Sequence, residues 1–327
     1  MALFILLTPC YSFAAVLGNP TSTSTKQYAQ GTTYTKSVFY DNQVGQQTEH
    51  YFTYVPNPDV TPVLTNGYSL YGKRTLTQAN KILTEQGLNT AAGINADFFS
   101  FQTGVPMSNV IIDKEVISKD DGDLPAVGFR EDGTAFMGKL PITTTITTSL
   151  GSTEIECINK YRQPYALYLF TDQFDAETHS EDKGIDIVLG SVKGNITLNS
   201  TVTAVVESIT ENEGSVPIPE GKLVLSVSDA AAQEIKDRLN ILTEGSKVTI
   251  TTKDTSGDNR WKEAVYALGG TGGKLITNGQ LDLEDDAAAP RTAIGISRWV
   301  TASILPFPSP ASWVYSAPSL RPAWNTA

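Results

Sequence analysis

Short runs of β-forming residues, each ended by a turn residue, recur along most of this 327-residue chain. Runs such as YALYLF, TAVVESI and KLVLSVS are rich in Val, Ile, Thr and aromatic residues, with Gly, Asp, Asn or Pro between them. Helical periodicity is clear in only two segments, TLTQANKILTEQG at 75–87 and SDAAAQEIKDRLNI at 228–241. We therefore predict an α+β fold with a strand-rich mixed sheet core and a few helices.

The sequence also predicts how several of these elements begin and end. In the first helical segment, one face carries Leu76, Ala79, Ile82 and Leu83, and Gly87 ends the helix. In the second segment, Ser228 and the Asp after it are expected to cap the first turn. Two polar runs, DKEV and EDGT, predict hairpin turns, the first after SNVIID and the second between PAVGF and TAFMG.

The net charge limits the classes of partner that this chain can bind. The formal net charge is −11, the sequence pI is about 4.7, and no Lys/Arg cluster is present. Binding to phosphate backbones requires a basic face, so nucleic acid is an unsuitable partner. The acidity is typical of a protein that works outside the cytoplasm.

The N-terminal residues predict export. Residues 1–14 contain an apolar run that ends in Ser12-Phe13-Ala14, a small-x-small cleavage site, although no basic residue precedes the run. The alternative is a buried N-terminal segment. We interpret 1–14 as a signal peptide and 15–65 as a linker with the first strands, and we expect a secreted or extracytoplasmic protein. No other segment is long and apolar enough for a stable membrane span.

The stretch GINADFFS, residues 93–100, is the most unusual polar feature of the sequence. We predict a strand here, with Ile94, Ala96 and Phe98 buried. Asn95 and Asp97 would then lie together on the opposite face. Two short polar groups side by side on a stiff element predict a functional site.

Several motifs occur with this stretch in a fixed order. NADFF at 95–99 precedes GVP at 104–106, and GG at 269–270 leads through Leu275 to Gly279. PRTAIG follows at 290–295. In order and spacing these motifs resemble the phosphodiester glycosidase family over roughly residues 66–297. Asp97 stands where the best-known form of the family motif has glycine.

The resemblance implies a site that hydrolyses a glycosyl-1-phosphodiester. Its implied catalytic residues are Asn95, Asp97, Arg291 and Thr292. Its implied substrate-binding residues are Phe98, Thr178, His179, Gly269 and Gly270. A sugar 1-phosphodiester already carries a good leaving group, so the site must mainly hold phosphate and direct a nucleophile to the anomeric carbon.

Each of the polar residues has a specific part in this hypothesis. The forked guanidinium of Arg291 suits phosphate, and Thr292 could add a hydroxyl donor. Asp97 could be a base, a nucleophile or the partner of Arg291, and Asn95 could bind sugar hydroxyls or orient Asp97. The alternatives are that Asp97 caps a turn or pairs with a lysine and that Arg291 forms a surface ion pair. Thr178 and the His after it would then be ordinary loop residues.

We expect Asn95, Asp97 and Arg291 to converge on one cleft, with GINADFF near RTAIG in one sheet. No cofactor is required by the sequence. Asp and Asn next to a phosphate could recruit a divalent cation, although no complete metal-ligand set is visible. The two cysteines, Cys10 and Cys157, form neither a disulfide framework nor a metal cluster.

The chain changes character after Ser297. Residues 298–327 hold three of the 4 Trp and five of the 17 Pro but no Asp, Glu or Lys. The family continues with a Gly-rich Asp-Gly-Gly-Gly-Ser motif that is absent here. We predict that 298–327 is out-of-frame sequence without a defined fold; the alternative is a Pro-rich tail.

The leading functional hypothesis is an enzyme that hydrolyses glycosyl phosphodiesters in a cell-surface or secreted glycan. The alternatives are a non-catalytic carbohydrate-binding or envelope-associated protein and an inactive fragment of the enzyme. The partner in each case is a glycan or a sugar phosphodiester.

Overall fold

The computed structural model describes residues 19–42, 45–120, 122, 125–270, 276–277, 280–281, 291–296 and 311–318. The chain divides into two compact units. The terminal unit combines Met1–Val55 with Asp285–Ala327, and the central unit is Pro56–Glu284. The predicted signal peptide, 1–14, lies outside the described residues.

The terminal unit contains a five-stranded sheet in the order β1-β2-β3-β20-β19. Its strands are β1 (Ser22–Ala29), β2 (Thr32–Asp41), β3 (Gly45–Tyr54), β19 (Arg291–Thr292) and β20 (Ala311–Pro318). All of these pairings are antiparallel. β20 is regular structure within the segment 298–327, where the sequence predicted no defined fold. Its run SWVY has the β-branched and aromatic residues that favour strands, which the surrounding prolines obscured.

The central unit is built mainly on an eight-stranded sheet in the order β10-β11-β14-β12-β13-β15-β8-β9. These strands are β8 (Ile142–Thr148), β9 (Gly151–Glu154), β10 (Cys157–Ile158), β11 (Tyr168–Thr171), β12 (Gly184–Lys193), β13 (Ser200–Glu213), β14 (Leu223–Ser228) and β15 (Lys247–Asp254). β10 and β11 are parallel, so the sheet is mixed.

A second sheet of the central unit has the order β5-β4-β16-β6-β7. Its strands are β4 (Val110–Ile112), β5 (Glu115–Ser118), β6 (Pro125–Arg130), β7 (Ala135–Lys139) and β16 (Ala264–Gly269). Two short strands, β17 (Ile276–Thr277) and β18 (Gln280–Leu281), form a separate pair. The predicted turns DKEV and EDGT connect β4 to β5 and β6 to β7, and Asp113 and Lys114 have the positive φ of a tight hairpin.

The helices are few and short, so the protein is mostly β, and the predicted α+β class fits only loosely. α1 (Leu76–Glu85) lies within the predicted helix 75–87, and Thr75 caps it with a capping box. The second predicted helix is much shorter. α2 (Gln233–Asp237) starts after Ala232 and passes into a 3₁₀ turn, because Ser228 belongs to β14 and cannot cap it.

Two hydrophobic clusters cover opposite faces of the β11–β14 part of the eight-stranded sheet. Leu225 of β14 joins the larger cluster, with residues of both sheets, and Val224 joins the smaller one. All six residues of β14 are buried. This explains why LVLSVS lacks the polar alternation of a one-sided strand.

One charged pair lies inside this core. Arg162 Nη1 is 3.6 Å from Asp186 Oδ1, and each side chain is only 1% exposed. Arg162 also donates to the hydroxyl of Ser226 at 2.8 Å. Burial raises the pKa of Asp186 to about 6, opposed by Ser226 and the charge of Arg162. The ionised carboxylate is therefore costly to keep inside this sheet.

This cost predicts a pH-dependent stability of β12. A raised carboxyl pKa stabilises the fold fully below the usual value of 3.8, and the gain disappears as pH rises through about 6. From this group alone, the free energy of unfolding should fall by about 3 kcal/mol across that window. Native-state hydrogen exchange of β12 amides should show the fall in the parent protein and lose it in Asp186→Asn.

The exposed Asp237 offers a matched control for this experiment, since it carries the same charge on α2. Asp237→Asn should keep the pH slope of the parent protein. An unchanged slope in Asp186→Asn would contradict the assignment.

Candidate functional site

Asp97 lies in an irregular loop, not in the strand predicted for GINADFF. Residues 93–98 carry no strand, and both Ala96 and Phe98 are exposed. Phe99 forms only an isolated bridge with Pro106. The strand prediction is therefore wrong. The alternating pattern of this stretch belongs to a loop in which Ala96 and Phe98 are exposed to solvent.

The loop between Phe98 and Met107 folds back on itself. The amide of Met107 donates to the carbonyl of Phe98 at 2.8 Å, and that of Ser100 donates to Val105 at 2.9 Å. Gly104 has φ +80°, and a side chain there would collide with the backbone of Gly72. This turn returns the chain so that residue 108 faces residue 97.

Ser108 holds both oxygens of the Asp97 carboxylate. Its backbone amide donates to Oδ2 at 2.8 Å, and its hydroxyl donates to Oδ1 at 2.9 Å. Ser108 is 1% exposed, whereas Asp97 is half-buried and reaches solvent. Two donors from one buried residue give the carboxylate a fixed orientation.

Lys160 lies buried behind this contact. Its ammonium group donates to the carbonyls of Pro106 and Ser108, each at 2.8 Å. Burial lowers the pKa of Lys160 to about 8, against the opposing charges of Asp120 and Asp97. The lysine carries its charge directly beneath the Asp97 loop.

The surroundings of Asp97 act on its charge in two directions. Burial raises the pKa of Asp97, while the hydrogen bonds from Ser108 and the charge of Lys160 lower it, and the net pKa is above the usual value. A carboxylate with this balance can accept a proton more readily than an ordinary surface aspartate.

Apolar side chains stand exposed in the loop that carries this carboxylate. Phe98 is 57% exposed, Phe101 is 82% exposed and Met107 is 51% exposed. Phe99 packs edge-on against Phe101, with ring centroids 5.4 Å apart. Exposed rings beside a polar group form the kind of surface on which sugar rings pack.

The predicted glycines have different environments. A Cβ on Gly269 would collide with the side chain of Ser108, whereas one on Gly270 would meet no atom of the described residues within 4 Å. The amide of Gly269 also donates to the carbonyl of Asn109 at 3.1 Å. Gly269 is therefore needed for the close approach of β16 to the residue that holds Asp97.

Asn95 and His179 are accessible, and Thr178 is not. Asn95 is exposed in the same loop as Asp97. His179 stacks on Tyr71 with centroids 3.8 Å apart, and its Nε2 lies 2.7 Å from Asp175 Oδ2. Thr178 is 0% exposed, and its hydroxyl accepts from the amide of Val216 at 3.1 Å, which argues against substrate contact.

Arg291 and Thr292 form β19 in the terminal unit. β19 pairs with β20, so the predicted pairing of RTAIG with GINADFF in one sheet is not found among the described strands. The roles of both residues, and their convergence with Asp97, stay predictions.

Ser108 and Lys160 were missed at the sequence level. Ser108 follows the GVP motif by two residues, within SNVIID, and was assigned only to a strand. Lys160 stands in NKYR, between two runs of strand residues, where a lysine normally indicates an exposed turn. The sequence feature that could have indicated Lys160 is the polar stretch NKYR. It directly follows the buried Cys157 and Ile158 and contrasts with these apolar neighbours.

Within the described ranges, no three His, Cys, Asp or Glu side chains lie close enough together to hold a metal ion. A search of the same ranges for a helix that could cross a bilayer finds none of sufficient length and apolarity. Cys157 is buried and forms no disulfide within the described residues.

Comparisons with known proteins bear on the fold alone. No protein-family model and no curated protein matches the chain. Among solved structures, the chain is similar to a hypothetical protein from Synechocystis, with a TM-score of 0.67 and 17% sequence identity. The match covers 90% of this chain and 52% of that chain, so this chain spans about half the length of its structural neighbour.

The contact between Gly269 and Ser108 predicts a sharp difference between two neighbouring substitutions. Gly269→Ala should lower the free energy of unfolding by about 1–3 kcal/mol through overpacking. Gly270→Ala, whose added methyl group meets none of the described residues, should change it by less than about 1 kcal/mol. Urea unfolding measures both, and equal effects would contradict the close packing described for β16.

Proposed function

We propose that the central unit binds a glycan and hydrolyses a glycosyl-1-phosphodiester bond within it, with Asp97 as the reacting group. The observation that carries the proposal is the Asp97 carboxylate, fixed by both donors of Ser108 and open to solvent. The resemblance of NADFF and GVP to phosphodiester glycosidase motifs supports the same assignment. The fold likeness is compatible with it and does not test it.

The chemistry needs few groups. Phosphate leaves readily, so little protonation of the departing oxygen is required. A carboxylate beside the anomeric carbon stabilises the developing oxocarbenium charge and either attacks it or removes a proton from water. Asp97 is suited to both roles because its orientation is fixed and its pKa is raised by burial.

The exposed rings near Asp97 support a sugar as the ligand. Phe98 and Phe101 present apolar faces, and Asn95 adds an exposed amide in the same loop. Apolar rings and amides together match the two kinds of surface of a pyranose. In the proposal, Asn95 binds sugar hydroxyls.

A non-catalytic glycan-binding protein is the second candidate. It is favoured by the same exposed rings, which would bind sugars without any chemistry at Asp97. Binding of a glycan without release of sugar from any sugar-1-phosphodiester would support this candidate over the enzyme.

Substitution of Asp97 separates the two candidates. With a sugar-1-phosphodiester as substrate, Asp97→Asn should reduce turnover by about 10²-fold or more, because the amide neither attacks nor accepts the proton. The exposed Asp59→Asn in the same unit is the matched control and should retain full turnover. Equal turnover in both variants would remove Asp97 from the mechanism.

The stereochemistry of the released sugar then assigns the role of Asp97. Retention of the anomeric configuration indicates that Asp97 attacks as nucleophile, and inversion indicates that it activates water. Proton NMR of the first product formed gives the answer before mutarotation.

We also propose that the protein acts outside the cytoplasm, on a cell-surface or secreted glycan. The support is the apolar N-terminal run with its Ser12-Phe13-Ala14 site. Mass spectrometry of the mature protein should show a new N-terminus near residue 15, and an intact Met1 would contradict export.

A further inference from the structure

The Asp97 carboxylate is fixed from outside its own loop. Residues 93–98 form no regular element, so their backbone alone does not hold the side chain at one angle. The orientation comes from Ser108, eleven residues later, which contacts both carboxylate oxygens. Whatever holds Ser108 therefore holds the proposed reacting group.

Ser108 is itself fixed on two sides. On one side, the Lys160 ammonium binds the carbonyls of Pro106 and Ser108 at 2.8 Å each. On the other, Gly269 of β16 packs so closely that any side chain there would collide with Ser108. One continuous set of contacts therefore leads from the Lys160 ammonium and from Gly269 to Ser108, and from the buried Ser108 hydroxyl to Asp97.

We propose that Ser108 and Lys160 are the positioning residues of the site: Ser108 orients Asp97, and Lys160 fixes Ser108. The inference rests on the proposed function for its catalytic meaning, although the arrangement itself can be tested without substrate. Neither residue contacts substrate in this proposal. Both act through the geometry and charge of Asp97.

The charged groups around this arrangement determine how it titrates. Asp97 is affected by Ser108, by Lys160 and by the amide of Phe98. Lys160 is in turn affected by Asp120, Asp97, Cys157 and Lys119. Removal of either the Ser108 hydroxyl or the Lys160 charge leaves burial less opposed, and the carboxyl should then hold its proton to higher pH.

The experiment is a carbon-detected NMR titration of the Asp97 carboxyl in the full chain labelled at aspartate. Ser108→Ala and Lys160→Gln should each raise the titration midpoint by about one pH unit. Ser100→Ala is the matched control, because among the described residues its hydroxyl accepts from the Thr103 amide of the same loop, at 3.3 Å, and has no contact with Asp97. It should leave the Asp97 midpoint where the parent protein has it.

Turnover provides the second measurement. In Ser108→Ala, the acid limb of the pH profile of kcat should shift to higher pH by the same amount as the NMR midpoint. Ser108→Cys keeps a weak donor and should shift the limb by less. A merely structural role would lower kcat at every pH without moving the limb. Amide spectra of each variant establish whether it is folded. If Ser108→Ala does not fold, Lys160→Gln serves as the test.

The outcomes separate this inference from the proposed function. Unchanged Asp97 midpoints in the folded Ser108→Ala and Lys160→Gln variants would overturn the positioning role. A parent protein that turns over no sugar-1-phosphodiester would overturn the proposed function, while the titration would still decide whether Ser108 and Lys160 control Asp97.

Discussion

The buried ammonium of Lys160 joins the irregular part of the central unit to its regular part. Lys160 follows β10, an edge strand of the eight-stranded sheet, by two residues. Its ammonium group donates to the backbone carbonyls of Pro106 and Ser108, in a segment that forms no regular strand. A charge brought out of water must be compensated by such partners, so the position of the loop and the presence of the cation depend on each other.

The segment after β10 distributes its polar side chains to different parts of the unit. Lys160 contacts the loop that carries Asp97, Tyr161 interacts with Glu181, and Arg162 reaches Asp186 inside the sheet. The three side chains are adjacent in the chain but reach three different environments. This short stretch therefore couples the site to the core through side chains, without a helix.

Much of the fold could be predicted from sequence, because its strands are strongly marked. Runs such as KLVLSVS and KVTITTK correspond to β14 and β15, and the helical periodicity of residues 75–87 corresponds to α1. ITTTITT, which forms β8, was not predicted as a strand because its Thr-rich pattern lacks apolar contrast. The strand-like alternation of GINADFF was misleading, since alternation reports burial only where a sheet covers one face.

Only part of the candidate site could be predicted from the sequence. Asp97 and Gly269 occur in recognisable motifs, whereas Ser108 acts through its backbone amide as well as its hydroxyl, which no residue pattern reveals. Lys160 is a buried cation that binds carbonyls, and composition-based reasoning places lysines on the surface. Contacts of this kind depend on tertiary geometry, so the sequence indicates the reacting group more readily than the residues that orient it.

The division of the chain has a consequence for the order in which its parts can fold during synthesis. The central unit is one continuous segment, so all its strands are available for pairing once Glu284 has emerged from the ribosome. The terminal unit is different, because β3 pairs with β20, which is made only after the whole central unit. Until then one edge of β3 is an open row of backbone donors and acceptors, exposed to any passing strand. The period of greatest risk for misassembly therefore lies between the emergence of β3 and that of β20.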